Sequence, residues 1–267
     1  MNEGFRLDWS WHSSIVIGFS IWTAAYVLLV GFLRRKHGWG EQPSRTTQFF
    51  FHLGTLIALL AFVSPLDSLG DQYLFSAHMV QHLLLMFVTA PLWLVGTPAW
   101  LMDLVVPLPF RKIVEWVTRP VSAFAIFVGI MVVWHIPTLY NLTLQSEGIH
   151  IFEHLTFIGA ALIGWWPVAA PNSTMSPPLR MLYLFLLGIP GTALSAMLTF
   201  ASTPLYPFYT DAPRLFGLSV LDDQHLAGLL MWIPMHMILF LAFGITFFKW
   251  FNTEIKQADS IYSKSLS

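Results

Sequence analysis

Polar positions along the chain arrive in short clusters, and between them lie long apolar runs. A helix needs about 20 predominantly apolar residues to cross roughly 30 Å of hydrocarbon. Seven runs of that kind can be marked, at about 12–33, 47–64, 74–96, 120–137, 150–170, 179–202 and 225–249. They are too long for barrel strands, and a membrane interior admits only helices or closed barrels. The expected fold is therefore all-α, a polytopic bundle of seven transmembrane helices spanning residues 1–251 as one domain. The connections are too short to hold a separate soluble domain. Residues 252–267, NTEIKQADSIYSKSLS, are polar and lack an apolar face, which predicts a flexible cytoplasmic tail. The longest connection, 203–224, contains Pro204, Pro207 and Pro213, which limit regular structure, and is expected to cap the outer face.

Composition agrees with a multi-pass membrane protein: 56% of residues are hydrophobic and only 10% charged, with a mean hydropathy of +0.65. Charge then orients the bundle, because cytoplasmic loops carry the excess of Lys and Arg. Of thirteen such residues, eleven fall on one side: Arg34, Arg35, Lys36, Arg45, Arg111, Lys112, Arg119, Arg180, Lys249, Lys256 and Lys264. Arg6 and Arg214 fall on the other, together with Glu3, Asp8, Asp67, Asp71, Glu147, Asp211, Asp222 and Asp223. This predicts an outside N-terminus and a cytoplasmic C-terminus, as an odd number of spans requires. The first run has its basic cluster after the apolar residues, the reverse of a signal peptide, and reads as an anchor.

The chain has no cysteine, so disulfides and thiolate sites are excluded, and soft-metal chemistry must use methionine sulfur or histidine nitrogen. Seven of the ten histidines fall toward the outer side: His12, His78, His82, His135, His150, His154 and His225. A polar residue within a span is costly and by default a functional candidate. In HMVQHLLLM, His78, His82 and Met86 recur every four residues and share one helix face, as do His150 and His154 on span five. Met131 and His135 repeat the offset on span four, and His225, Trp232 and His236 fall nearly on one face of span seven. Four helices are thus expected to converge on an outer-leaflet metal cluster of His78, His82, His135, His150, His154, His225 and Met86. Imidazole suits copper, zinc or iron, and the thioether tilts the choice toward Cu(I). Asp222 or Asp223 is expected to hold a histidine tautomer from behind.

Each feature also has a plainer account. Histidines in a bundle can simply hydrogen-bond between helices. His12 suits the interface, His37 a loop and His52 a bundle hydrogen bond. Met231, Met235 and Met237 suit packing, the tryptophans suit the interface belt, and Asp222 and Asp223 suit a helix cap.

The blocks SPLDSLGDQYLFSAHMVQHLLLMFVTAPLWLVGTP (64–98), WHIPTLYN (134–141), HIFEHLTFIGAALIGWWPV (150–168) and DDQHLAGLLMW (222–232) closely resemble the bacterial CtaG proteins of caa3-type cytochrome c oxidase. The resemblance implies a seven-helix assembly factor of the bacterial plasma membrane, needed for an active oxidase of the respiratory chain and acting in copper delivery or insertion. It carries over to His78, His82, His135, His150 and His154 and to the segment from Asp222 to Gln224. His225 and His236 rest on helix geometry alone. The unrelated single-span copper chaperone that shares the family's name relies on cysteines that this chain lacks.

The expected function is that of a non-enzymatic metallochaperone whose partners are copper, a cytochrome c oxidase subunit and the lipid bilayer. A homo-oligomer is compatible with the sequence, and no nucleic-acid partner is expected. A haem-binding oxidoreductase or haem-modifying enzyme is the alternative, since histidines on facing helices can clamp an iron porphyrin. A zinc hydrolase fits less well. In His150-Ile-Phe-Glu-His154 the Glu precedes the second His, not following the first, and Glu153 points roughly 100° away from His154.

Overall fold

Proline sets many of the helix boundaries. Its missing N–H is no loss in a first helical turn, and Pro65, Pro120, Pro137 and Pro177 each open a helix. The computed structural model describes residues 9–265, and every regular element among them is helical. In chain order these are α1 (Ser13–His37), α2 (Arg45–Val63), α3 (Pro65–Gln72), α4 (Phe75–Gly96), α5 (Ala99–Val105), α6 (Arg111–Val117), α7 (Pro120–Trp134), α8 (Pro137–Gln145), α9 (Glu147–Ala169), α10 (Pro177–Thr199), α11 (Phe208–Asp211) and α12 (Val220–Ser265). Glu3, Arg6 and Asp8, which entered the charge argument, lie outside the described residues.

Six of these helices are long and apolar enough to cross a membrane: α1, α2, α4, α9, α10 and α12. The expected span over 120–137 differs. Its helix, α7, has 15 residues, about 22 Å at 1.5 Å per residue, and is bounded by Pro120 and by the α8 opener Pro137. It meets the preceding segment Leu108–Val117 at 78°, and the count becomes seven only if that bent pair is one broken span.

Beyond residue 251, where a flexible tail is expected, α12 runs on to Ser265. Nothing interrupts it, the last Pro being Pro234 and the last Gly Gly244. Trp250 Nε1 donates to Glu254 Oε1 (3.0 Å) and Thr253 Oγ1 to the Lys249 carbonyl (2.9 Å), bracing successive turns. The side chains of 252–261 are exposed. Polar composition here yields a solvated helix instead of a coil.

The main core joins α4, α7, α9, α10 and α12, and a smaller one joins α1, α2 and α4, where Tyr26 stacks on Phe51 at 3.6 Å. Short elements close one end of the bundle. Phe75, Tyr140, Tyr206 and Tyr209 are all buried there, and the tyrosine hydroxyls are placed: Tyr140 with Tyr209 (2.9 Å), Tyr209 to the Gly70 carbonyl (2.8 Å), Tyr206 to the His135 carbonyl (3.0 Å). Segment 203–224 does cap this end, with Leu205 N–H bound by Gln224 Oε1 (2.7 Å) and Phe208 N–H by Asn141 Oδ1 (3.2 Å).

In α4 the residues Leu84–Thr89 widen into a π turn, and Pro91 leaves one carbonyl of that turn without a backbone donor. Ala90 N–H bonds the Leu85 carbonyl, five residues back. The next bond in that register would run from residue 91 to Met86, but proline has no N–H. Trp165 Nε1 of α9 takes its place, donating to the Met86 carbonyl at 3.0 Å. Both the Met86 backbone and the α4–α9 spacing are fixed by this bond.

Candidate metal centre

The capped end of the bundle holds the site, and its construction starts at the first turn of α4. Leu74, the residue before it, has no side chain that can accept the free amides. Asp223 of α12 accepts them instead, from Phe75 N–H at 2.7 Å and Ser76 N–H at 3.1 Å, and also takes the Ser76 hydroxyl. A carboxylate at a helix N-terminus is favourable both as hydrogen-bond acceptor and against the helix dipole. Behind this turn α3 packs so close that a Cβ on Gly70 would lie 3.0 Å from both N and Cα of His78. Any side chain there would push against the His78 backbone by a few tenths of an ångström, so glycine suits the approach.

His78, His82 and His154 are buried and His150 nearly so. Their rings form a continuous group, with centroids 4.2 Å apart for His78 and His82, 4.4 Å for His150 and His154, 5.0 Å for His82 and His154, and 5.5 Å for His78 and His150. Two carboxylates join them. Asp71 Oδ1 lies 3.4 Å from His150 Nε2 and 3.7 Å from His78 Nδ1, and Glu153 Oε2 lies 3.8 Å from His78 Nε2. Three overlapping triads, His78–His82–His154, Asp71–His78–His150 and His150–Glu153–His154, each bring one donor atom per residue within 4.8 Å of the others. Tetrahedral ligands around a zinc-sized ion stand about 3.3 Å apart, a contraction that side-chain rotation can supply.

Hydrogen bonding distinguishes this group from ordinary packing. Among the described residues, both nitrogens of His78 and of His82, His150 Nε2 and Asp71 Oδ1 are buried without a hydrogen-bond partner, and Glu153 beside them has only the Thr143 side chain near enough to its carboxylate for a hydrogen bond. Most buried polar groups in proteins have partners. His154 is surrounded by acceptors, with Nδ1 3.1 Å from the His150 carbonyl and Nε2 3.3 Å from Gln81 Oε1. A neutral ring has one N–H and can satisfy only one of them. His135 Nδ1 lies 2.6 Å from the Met131 carbonyl, which fixes the proton there and leaves Nε2 as a buried lone pair. A backbone carbonyl behind the ligating ring is the arrangement that metal-binding histidines favour.

The predicted residues divide. His78, His82, His150 and His154 are brought together. His135 and Met86 lie just below, lining a common cavity with His82. His225 is not brought in: its Nε2 is engaged by the Ala201 carbonyl at 2.9 Å. Two positions along a helix turn the side chain by about 200°, so with Asp223 aimed at α4, His225 faces the opposite way. Neither acidic residue backs a histidine ring. Asp223 caps α4, and Asp222 exchanges bonds with Ser219 at the start of its own helix. His236 is likewise satisfied, by the Trp232 carbonyl and Thr192.

Asp71 and Glu153 were missed as site residues. The angle that turned Glu153 away from His154 considered one helix only, whereas its carboxylate meets His78 of another. Its presence within a span was the available signal. Gln81 was also missed. It donates to Asp67 Oδ1 and to the Ala61 carbonyl, both at 2.9 Å, and ties α4 to α2 and α3.

Outside the spans, burial raises both α3 carboxyls. Asp67 is pushed up to about 6 by burial and then by the neighbouring Asp71, against the Gln81 hydrogen bond and His12. Asp71 is raised by burial, against the pull of His150 and His12.

The family model described as cytochrome c oxidase caa3 assembly factor, Caa3_CtaG, matches residues 24–253. The chain belongs to that family. The match takes in every histidine of the cluster. This CtaG-family chain is also 24% identical over 191 residues to uncharacterized protein Mb0105 of Mycobacterium bovis and to uncharacterized protein MT0111 of Mycobacterium tuberculosis. Each alignment covers 62% of this chain and 29% of the relative, so the chain spans under a third of the length of these curated relatives. No solved structure matches it.

Proposed function

We propose that this CtaG-family protein is a copper carrier for oxidase assembly. It takes the ion as cargo at the cluster of Asp71, His78, His82, His150, Glu153 and His154 and passes it to an oxidase subunit in the same membrane. The observation that carries this reading is the set of buried, unpartnered donor atoms among the clustered rings and Asp71. Each unsatisfied buried polar group costs about 1–3 kcal/mol, and a bound cation offsets many of those costs at once. Imidazole with carboxylate suits a divalent borderline ion, and the ring nitrogens also accept Cu(I). The cluster end faces outside in this reading, which the eleven basic residues assigned to the other side by the charge rule support. There the protein collects its cargo without transporting it.

Haem is a poorer occupant. Ring centroids on facing helices are only 5.0–5.7 Å apart, and the cavity reached by His82 and His135 measures about 20 Å3. Those dimensions suit a single ion better than a macrocycle, for which pockets run to about 300 Å3 or more.

A deletion strain complemented with the wild type, or with His78, His82, His150 and His154 all changed to Leu, tests the function. The wild type should restore oxidase activity and oxidase copper content, and the variant should restore neither while remaining inserted. Full restoration by the variant rejects copper carriage.

A further inference from the structure

Below the cluster the donor chemistry changes. The cavity lined by His82 and His135 is otherwise rich in thioethers, with Met79 and Met86 from α4, Met131 from α7 and Met231 from α12. Its volume, about 20 Å3, is of the order of one water-sized sphere, so it accommodates an ion and not a polyatomic ligand. Helical spacing explains the convergence: Met79, His82 and Met86 occupy i, i+3 and i+7 of one face, and Met131 and His135 are four apart. All six side chains are buried.

Packing alone accounts for methionines, which fill irregular gaps. It does not account for two imidazoles among them. His135 Nε2, left as a lone pair by the bond from Nδ1 to Met131, has no partner, and neither nitrogen of His82 has one. Charge separates this place from the cluster above it. Asp71 and Glu153 can neutralise a divalent ion there, whereas every donor around the lower cavity is neutral. Burying an ion in a medium of low dielectric is costly, and the cost rises with the square of its charge. A neutral, sulfur-rich shell therefore favours a soft monovalent ion.

We propose that His82, His135, Met79, Met86, Met131 and Met231 form a second metal site, selective for Cu(I) and joined to the upper cluster through His82. The site deepens the copper-carrier reading and rests on it for the cargo's destination. Two positions sharing one ring let Cu(I), held above by ring nitrogens, move to the thioether site without leaving the protein and without a change of oxidation state.

The test uses the full chain in lipid nanodiscs with Ag(I), a redox-inert soft monovalent ion, and with Zn(II). X-ray absorption of the Ag(I)-loaded wild type should show sulfur scatterers. Changing Met79, Met86, Met131 and Met231 together to Leu should remove them and weaken Ag(I) binding at least tenfold, with Zn(II) affinity changed less than twofold. His135→Gln, which keeps every methionine, should also weaken Ag(I) binding. Only nitrogen and oxygen scatterers on the wild type, or unchanged Ag(I) affinity in the methionine variant, overturns the site. The wild-type spectrum decides even if a variant misfolds. The carrier reading fails separately: full oxidase copper in cells whose protein has His78, His150 and His154 changed to Leu with His82 kept rejects it, while the Ag(I)–sulfur signal of the wild type upholds the lower site.

Discussion

His135 and His236 begin alike. Each holds its Nδ1 against the carbonyl four residues before it, Met131 at 2.6 Å and Trp232 at 2.8 Å. Their other nitrogens differ. His236 Nε2 has Thr192 Oγ1 at 3.0 Å, tying α12 to α10, whereas His135 Nε2 is buried with nothing to bond. His225 resembles His236, satisfied by the Ala201 carbonyl, and His78 and His82 resemble His135. In the α10–α12 half of the bundle, histidine joins helices. In the α4–α7–α9 half it presents free donors. A helix face says which rings can meet, and the hydrogen-bond inventory says which are available to an ion.

The largest expected effect sets these two halves against each other. Replacing His78, His82, His150 and His154 together with Leu should weaken Cu(I) or Zn(II) binding by more than about a hundredfold, since losing an outer-shell partner alone costs 10–100-fold. The double change His225→Leu and His236→Leu should alter it less than about twofold on the same scale. Competition titration with a chromophoric chelator reads both, and equal losses would erase the distinction.

A smaller effect sharpens it, because the free donors depend on a cap outside their own helix. Asp223→Ala removes an acceptor shared by two amides and a hydroxyl. Hydrogen bonds to a charged group contribute about 1.5–3 kcal/mol, so thermal unfolding should shift down by a corresponding amount and metal affinity should fall with it. Asp222→Ala, an exposed cap, should cost about 1 kcal/mol or less and leave affinity unchanged. Equal destabilisation by the two variants would mean that Asp223 does not position the histidines.

A further effect concerns pH. The folded protein raises the Asp67 carboxyl to about 6 from an ordinary 3.8, so it favours the protonated form. The stability this gives is present below pH 3.8 and is lost as the pH rises through 6. Asp67→Asn, which mimics the protonated group and keeps an acceptor for Gln81, should be more stable than wild type at about pH 7.5, above both values. The gap should close toward about pH 4 in unfolding measured with a metal chelator present. A gap independent of pH would assign the effect to something other than charge.

Much of this was legible in the sequence. Long apolar runs announce membrane helices without reference to partners, and HMVQH and HIFEH place pairs of rings by local spacing alone. Asp71 and Glu153 were not legible as site residues because they become neighbours of His78 only through packing between helices. The position of His225 has the same origin: its turn of helix, Asp222-Asp223-Gln224-His225, is polar on several sides, and only the commitment of Asp223 to α4 fixes which side faces inward. The short α3, α8 and α11 mix polar and apolar residues over too few turns to give a period. Residues 252–265 are helical because the chain simply continues an established helix, which a composition rule for isolated segments does not anticipate.

The cap on α4 also orders events in time. Asp223 lies 148 residues downstream of the amide it receives from Phe75, so during synthesis α4 enters the membrane long before its acceptor exists. The first turn, with His78 on it, has this acceptor only once the final helix is made. A chain truncated before Asp223 thus has the histidines but not the cap that holds the first turn of α4. On the proposed reading, metal capture would then be a property of the finished protein.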